Sequence, residues 1–134
     1  MPIKYTALFV YLLFALKVNA QNSHPKDTVI DGVKYEYVER MPRPNYNLNK
    51  YLSKNIHYPD SARAHNIEGR VIVKFLVNED GQISDCKIIN SVDRDCDAEA
   101  LRVVKEMPRW KPGKQDGKPV KVFFHLPIMF KLTD

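Results

Sequence analysis

The sequence predicts an α+β fold in which a small, mainly antiparallel three-stranded sheet packs against two helices. Residues 70–78 and 120–131 alternate between apolar and polar positions, which is typical of half-buried strands. Residues 48–56 and 96–107 instead repeat apolar positions at the spacing of a helical turn. The predicted order is helix, strand, hairpin, strand, helix and strand, with the helices on one face of the sheet.

Residues 1–20 have the pattern of a secretory signal peptide. A positive charge at Lys4 precedes an apolar run from residue 5 to residue 16, and small residues stand before Gln21 at the spacing of a cleavage site. A membrane-spanning helix needs about 20 apolar residues, and Lys17 ends this run earlier. We therefore expect cleavage and export, with an uncleaved inner-membrane anchor as the alternative.

Residues 21–40 form a polar segment ahead of the predicted domain, which covers 41–134. Asp31 and Gly32 are a turn signal between two short β-rich pieces. This pattern predicts either a small hairpin or one strand added to the sheet. Residues 40–47 carry two prolines and predict an extended connection.

The helix at 48–56 has Asn47 as its expected N-cap. Tyr58 and Pro59 follow it, and a proline disfavours a helical conformation in the residue before it. Pro59 is predicted to be the first helical residue of a short turn. Asn66 is expected to close that turn in the left-handed conformation.

The strand at 70–78 leads into Asp80-Gly81, which predicts a two-residue hairpin turn. The return strand is expected at 82–92, with a bulge between Ile83 and Cys86, where the apolar phase shifts. Asp116-Gly117 predicts a further turn before the last strand.

The helix at 96–107 is expected to be capped by Asp95 and to end before Pro108. Trp110 is predicted to be a core residue, with an exposed stacking platform as the alternative. The buried stripe of this helix is expected to be Cys96, Ala100, Val103, Val104 and Met107.

Composition and spacing exclude several classes of protein. The chain of 134 residues has a formal net charge of +5, but no basic stripe with interleaved aromatic residues indicates nucleic-acid binding. The histidines show no metal-ligand spacing, and no glycine-rich phosphate loop or nucleophile elbow is present. We therefore expect no metal, no cofactor and no catalytic residues.

Cys86 and Cys96 leave two questions open. A disulfide between them is a minor hypothesis, because the strand is expected to separate them by over about 15 Å. Cys96 near a helix N-terminus could have a lowered thiol pKa, whereas its place on an apolar stripe favours a small core residue.

The last strand, 120–131, has one large apolar face. Pro127 has no N–H and is tolerated mainly on an edge strand or at a bulge, so we expect an edge strand. Such an edge is either merely protected, here by Lys121, Pro127 and Lys131, or kept for a partner peptide that adds a strand. The residues of the apolar face are Val120, Val122, Phe124, Leu126, Ile128 and Phe130.

A series of short motifs follows in order over residues 41–132, and together they form a specific signal. They are Tyr58-Pro59, Ala62-Arg63, Glu68-Gly69-Arg70-Val71, Asp80-Gly81, Asp97-Ala98-Glu99-Ala100-Leu101, Trp110-Lys111-Pro112-Gly113 and Leu126-Pro127-Ile128-Met129-Phe130. With these motifs the chain resembles the TonB C-terminal domain family. Residues 41–59 resemble the versions found in Bacteroidetes-type members.

The resemblance implies a periplasmic domain that grips the TonB-box peptide of an outer-membrane receptor. The peptide pairs with the last strand, and force from an inner-membrane proton-driven motor passes through the domain to energise nutrient transport. The family's Tyr-Pro element lies by the peptide groove. The positions implied as peptide-binding are Tyr58, Pro59, Val122, Phe123, Phe124, His125 and Leu126.

Three alternatives remain from the sequence. For Tyr58, anchoring of the helix junction competes with contact to a peptide. For the protein, an exported adaptor or a homodimer could use the same edge strand without energy transduction. A thiol-redox enzyme would need a catalytic constellation that the sequence does not display.

Overall fold

The structure, a computed structural model, describes residues 28–30, 33–35 and 38–133. The chain divides into two units, of which the second comprises Val38–Asp134. The predicted signal peptide and the Asp31-Gly32 turn lie outside the described residues. No helix within the described ranges is long and apolar enough to cross a membrane.

The short N-terminal strands pair with each other. β1 (Thr28–Ile30) and β2 (Val33–Tyr35) form an antiparallel two-stranded sheet of their own, with Ile30 opposite Val33. This antiparallel pairing is the one expected of a small hairpin.

The second unit has the predicted α+β architecture, with a three-stranded antiparallel sheet and helices. The sheet order is β5-β4-β9. The elements in chain order are β3 (Arg43–Pro44), α1 (Leu48–Asn55), α2 (Asp60–Ala64), β4 (Gly69–Val77), β5 (Ile83–Asn90), α3 (Arg94–Lys105), β6 (Trp110–Lys111), β7 (Gly113–Gln115), β8 (Lys118–Val120) and β9 (Val122–Phe130).

Alternation along the two long strands places one face of each in the core, as predicted. On β4 the buried side chains are Val71, Val73, Phe75 and Val77. On β9 they are Val122, Leu126, Ile128 and Phe130, with Phe124 half-buried among them. The last strand is shorter than predicted, because Val120 belongs to β8, which pairs with β7 across the Asp116-Gly117 turn.

The turn between β4 and β5 differs from the two-residue prediction. Asn78 N donates to Gln82 O at 2.9 Å, which leaves Glu79, Asp80 and Gly81 in the loop. Gly81 adopts a φ of 85°, and a three-residue hairpin with glycine in this region is a common alternative.

The predicted bulge is confirmed. Lys74 faces Lys87 whereas Leu76 faces Ser84, so an extra β5 residue stands between these two pairs. Asp85 lies in this stretch with a φ of 50°.

The helix caps are partly as predicted. Asn47 caps α1 by accepting from Lys50 N at 3.0 Å, and Asn66 is left-handed with a φ of 53°. Pro59 is the N-cap of α2 and not its first helical residue.

Asp95 is not the cap of α3. The cap is Asp93, whose extended backbone lets its carboxylate accept from Asp95 N at 3.1 Å and from Cys96 N at 3.4 Å. Asp95 therefore lies inside the first turn, where its charge is favourable to the helix dipole. The predicted stripe is buried as expected, with Cys96, Ala100, Val103, Val104 and Met107 in the core.

Trp110 is a core residue that is 3% exposed. Its ring contacts Phe75 and Phe124 at centroid distances of 5.3 Å and 5.0 Å, and its Nε1 donates to the Tyr46 hydroxyl at 3.1 Å. The segment predicted as an extended connection forms β3 and pairs here with β6, with Pro44 opposite Trp110. Through its contact with Phe124, this cluster packs against the core side of the first half of β9.

Candidate functional site

Within the described residues, β9 has a strand neighbour on one side only. It pairs with β4 in an unbroken register from Gly69 opposite Phe130 to Val77 opposite Val122. The predicted edge position of the last strand is therefore confirmed in this part of the chain. An edge strand presents unpaired N–H and C=O groups that can accept another strand.

The backbone directions identify which residues present those groups. Successive residues of a strand direct their N–H and C=O to opposite edges. At the turn into β5, Asn78 N donates to Gln82 O, and along β4 Arg70 O accepts from Asn90 Nδ2 of β5 at 2.7 Å. Even-numbered residues of β4 therefore face β5, and odd-numbered residues face β9.

The uniform register carries this alternation across to β9. Odd-numbered residues of β4 oppose even-numbered residues of β9, so the even-numbered residues of β9 bond to β4. The backbone groups of its odd-numbered residues point to the free edge, and these residues are Phe123, His125, Pro127 and Met129.

Pro127 fits this edge. It stands opposite Ile72, whose backbone groups face β5, so its missing N–H removes no bond to β4. The C-terminal end of β9 agrees with the same alternation, because Leu132 N points back toward the start of β4 and donates to Glu68 Oε1 at 2.7 Å.

The predicted strand residues lie together but face two directions. Val122 and Leu126 are buried, and Phe124 packs on Trp110. Phe123 is 52% exposed and His125 is also exposed. Of the five predicted strand residues, only Phe123 and His125 thus offer both an outward backbone and an accessible side chain.

The Phe123 ring has a cation beside it. Lys74 Nζ lies 4.3 Å from the ring centroid, within the distance of a favourable cation–π interaction. Lys74 is on β4 opposite His125, so this part of the sheet surface combines an aromatic face with basic groups.

Tyr58 is an anchor of the helix junction. Its hydroxyl donates to Ile67 O, and its ring packs edge-to-face on Phe130 at 5.6 Å. Phe130 ends β9, about 20 Å from Phe124 at about 3.3 Å per residue. The structure therefore places Tyr58 and the adjoining Pro59 beside the opposite end of β9 from the other predicted residues.

Glu99 and Arg102 of α3 stabilise the junction between α1 and α2. The sequence analysis did not identify either of them as a site residue. Glu99 Oε1 accepts from His57 N at 2.8 Å and from Arg102 Nη2 at 2.6 Å. Arg102 Nη2 also donates to Asn55 O at 2.8 Å. The pKa of Glu99 is lowered, chiefly by the hydrogen bond from Arg102 and also by the His57 amide, against the opposing effect of burial. The spacing of three residues between Glu99 and Arg102 on a predicted helix was the sequence signal that could have indicated this ion pair.

Glu99 gives a pH-dependent contribution to stability. Because its folded pKa lies below the ordinary value, this contribution is complete above about pH 4.5 and is lost as the pH falls through the folded pKa. We expect Glu99→Gln to lower the free energy of unfolding by about 1 kcal/mol at neutral pH. Urea unfolding between roughly pH 3 and pH 7 measures both effects.

The control for this prediction is Glu79→Gln in the exposed hairpin loop. We expect the Glu79 variant to retain the wild-type dependence on pH and the Glu99 variant to have a shallower one. Identical curves for the wild type and the Glu99 variant would contradict the assignment.

The cysteines are structural. Cys86 and Cys96 are both free, so the minor disulfide hypothesis is not met. Burial raises the pKa of the Cys96 thiol, and Asp93, Asp97 and Asp95 raise it further. The lowered pKa considered from the helix N-terminus is therefore wrong, because burial first and the three carboxylates second disfavour the thiolate. Within the described ranges, no group of His, Cys, Asp and Glu could hold a metal ion.

Comparisons with known proteins agree on one family. The family model of the Gram-negative bacterial TonB protein C-terminal matches residues 54–132. Protein TonB of Helicobacter pylori is 32% identical over 84 residues, which are 62% of this chain and 28% of that protein. Protein TonB of Pseudomonas aeruginosa is 36% identical over 72 residues, or 50% of this chain and 21% of that protein.

A solved structure supports the fold. The NMR solution structure of the Helicobacter pylori TonB-CTD superposes with a TM-score of 0.50 at 25% identity, covering 65% of this chain and 91% of that one. The chain spans about a quarter of the length of the curated relatives it matches. The TonB C-terminal family is not a family of enzymes, in agreement with the expectation that this chain carries no catalytic residues. The chain belongs to the TonB C-terminal domain family.

Proposed function

We propose that this protein is a periplasmic TonB-type domain that binds the TonB-box peptide of outer-membrane receptors by strand addition. The free edge of β9 carries the proposal, because Phe123 and His125 direct unpaired backbone groups there. Main-chain bonds would supply affinity, and side chains next to the guest strand would supply specificity. The family membership supports receptors of the TonB-dependent class as partners.

The core side of β9 holds the docking edge in place. Val122, Phe124 and Leu126 face inward, and Phe124 contacts Trp110 at 5.0 Å. A strand held in this way is preorganised, so less conformational entropy is lost when a peptide binds. In this proposal these three residues position the edge, and Phe123 and His125 contact the guest.

The pairing of β9 also suits the transmission of force. The strand is in register with β4 over its whole length. A pull on a guest strand along the direction of β9 would load these ladder bonds in parallel and not one at a time. We propose that force from an inner-membrane proton-driven motor reaches the receptor by this route and supports nutrient transport.

The remaining parts of the assignment are proposals about the whole protein. Export by a signal peptide at 1–20 agrees with a periplasmic site of action. Cleavage of this segment, with an uncleaved membrane anchor as the alternative, and a Bacteroidetes-type origin stay predictions from the sequence. N-terminal sequencing of the protein recovered from cells distinguishes a start at Gln21 from a retained anchor.

A titration followed by NMR tests the docking proposal. The chain from Gln21, labelled with ¹⁵N, would be titrated with a synthetic TonB-box peptide from a receptor of the same organism. We expect the amide signals of Phe123 and His125 to shift saturably, because their N–H groups would gain an acceptor. A scrambled peptide of equal composition is the control. Unchanged signals throughout β9 at saturating peptide would exclude the proposal.

A second function, an adaptor that dimerises through the same edge, is favoured by the exposed apolar side chains of β9. Phe123 is 52% and Met129 is 61% exposed. Light scattering over a range of concentrations tests it, with Phe123→Glu as the variant. Phe124 is unsuitable for this test because it packs in the core. A dimer that Phe123→Glu abolishes would favour the adaptor, and a monomer throughout would exclude it.

A further inference from the structure

We propose that Pro127 confines the guest strand to the part of the β9 edge that precedes it, and so sets the register of docking. The inference rests on the proposed function, strand addition at this edge. It makes Pro127 a specificity-determining residue that acts by lacking a donor.

The outward-facing residues of the free edge do not all have an N–H donor. Phe123, His125 and Met129 each direct an N–H outward, whereas Pro127 directs only its C=O. A guest strand that ran past Pro127 would bring one of its own carbonyl groups opposite the proline and leave it without a donor. An unmade bond in a ladder that excludes water costs affinity.

The strand also ends soon after the proline. β9 stops at Phe130, so Met129 is the last outward-facing residue within it. A guest extending past Pro127 would gain only a bond to the Pro127 carbonyl and the bonds at Met129, and one of its own carbonyl groups would stay without a donor. Before the proline, Phe123 and His125 offer two successive sets of bonds without interruption.

The side chains favour the same half of the edge. The Phe123 ring lies under Lys74 Nζ at 4.3 Å, and the strand beneath it is held by the contact of Phe124 with Trp110. We infer a short docking segment centred on Phe123 and His125, which takes a guest strand of about five residues.

Two matched proline variants test the inference. His125→Pro and Met129→Pro each remove one outward N–H from an exposed residue, and neither removes a bond to β4. We expect His125→Pro to weaken binding of a fluorescent TonB-box peptide at least about tenfold. Met129→Pro should leave the Kd within about twofold of the wild type. Fluorescence anisotropy measures the Kd, and thermal unfolding by circular dichroism checks that both variants are folded.

The outcomes separate this inference from the proposed function. Equal weakening by both variants would overturn the confinement by Pro127 while leaving strand addition intact. A wild-type protein that binds no peptide would overturn both.

A second measurement requires no folded proline variant. In the wild-type NMR titration, the amides of Phe123 and His125 should shift while that of Met129 does not. In Pro127→Val, which restores the donor, the shifts should extend to Met129. A Met129 shift in the wild type as large as that of His125 would overturn the inference.

Discussion

Replacing Phe75 by alanine is expected to lower the free energy of unfolding by about 3–5 kcal/mol, the usual cost of removing a buried aromatic ring. Phe75 is 0% exposed and lies in the middle of β4. Its ring contacts Trp110 at 5.3 Å and Phe124 at 5.7 Å. The backbone of both strands is fixed by their ladder, so the neighbouring rings can fill the cavity only in part.

Phe123→Ala is the matched control for this prediction. Phe123 is the same residue type on the adjacent strand, one position from the partner of Phe75, but it is 52% exposed. We expect it to change the free energy of unfolding by less than about 1 kcal/mol. Urea denaturation of the two variants and the wild type measures the difference. Similar losses for both variants would show that the aromatic cluster is not the centre of the core.

Gly81→Ala is expected to destabilise the fold by about 3 kcal/mol, from backbone strain and overpacking together. A Cβ at Gly81 would stand 1.9 Å from the carbonyl oxygen of Trp110. Gly81 also has a φ of 85°, and its carbonyl accepts from Trp110 N at 2.9 Å. The backbone of Gly81 and that of Trp110 must move apart, which would displace the Trp110 ring from its contact with Phe124.

Gly117→Ala separates the two causes. Gly117 has a similar φ of 74°, but a Cβ there would meet nothing within 4 Å. We therefore expect only the conformational cost of a left-handed alanine, about 1 kcal/mol. Thermal and urea unfolding of both variants measure these costs. If the two substitutions cost the same, the close approach to Trp110 has no energetic consequence.

Sequence reasoning succeeded where a local pattern has one physical explanation. The alternation of Val71, Val73, Phe75 and Val77 has the period of a strand, and all four side chains are buried. Pro127 could be placed on an edge because it has no N–H to donate. In the structure the position of this missing N–H does lie on the free side of β9. Asn47 could be recognised as a cap because its side chain acts within one turn.

The errors arose where neighbouring residues offered competing solutions. Asp93 and Asp95 are both good caps, and the extended backbone at Asp93 decided between them. Asp80-Gly81 suits a hairpin of two or of three residues, and the pairing of Asn78 with Gln82 selected the longer loop. The β3–β6 pairing was missed because both segments are short and contain or adjoin prolines.

The candidate site shows the same division. The sequence indicated the residues of the last strand, and the family resemblance added Tyr58. In the structure Tyr58 contacts Phe130, at the other end of β9. The separation follows from the direction in which the strand runs past the helix junction, and that direction is set by its pairing with β4.

By itself, the sequence determined the helices and the long strands of the second unit, the inward face of each long strand and the edge character of the last one. These depend on residue spacing and on the chemistry of single residues such as Pro127. Only the tertiary structure decided which backbone groups of β9 remain free and which side chains accompany them. Those properties depend on the register between strands distant in sequence, which no local pattern contains.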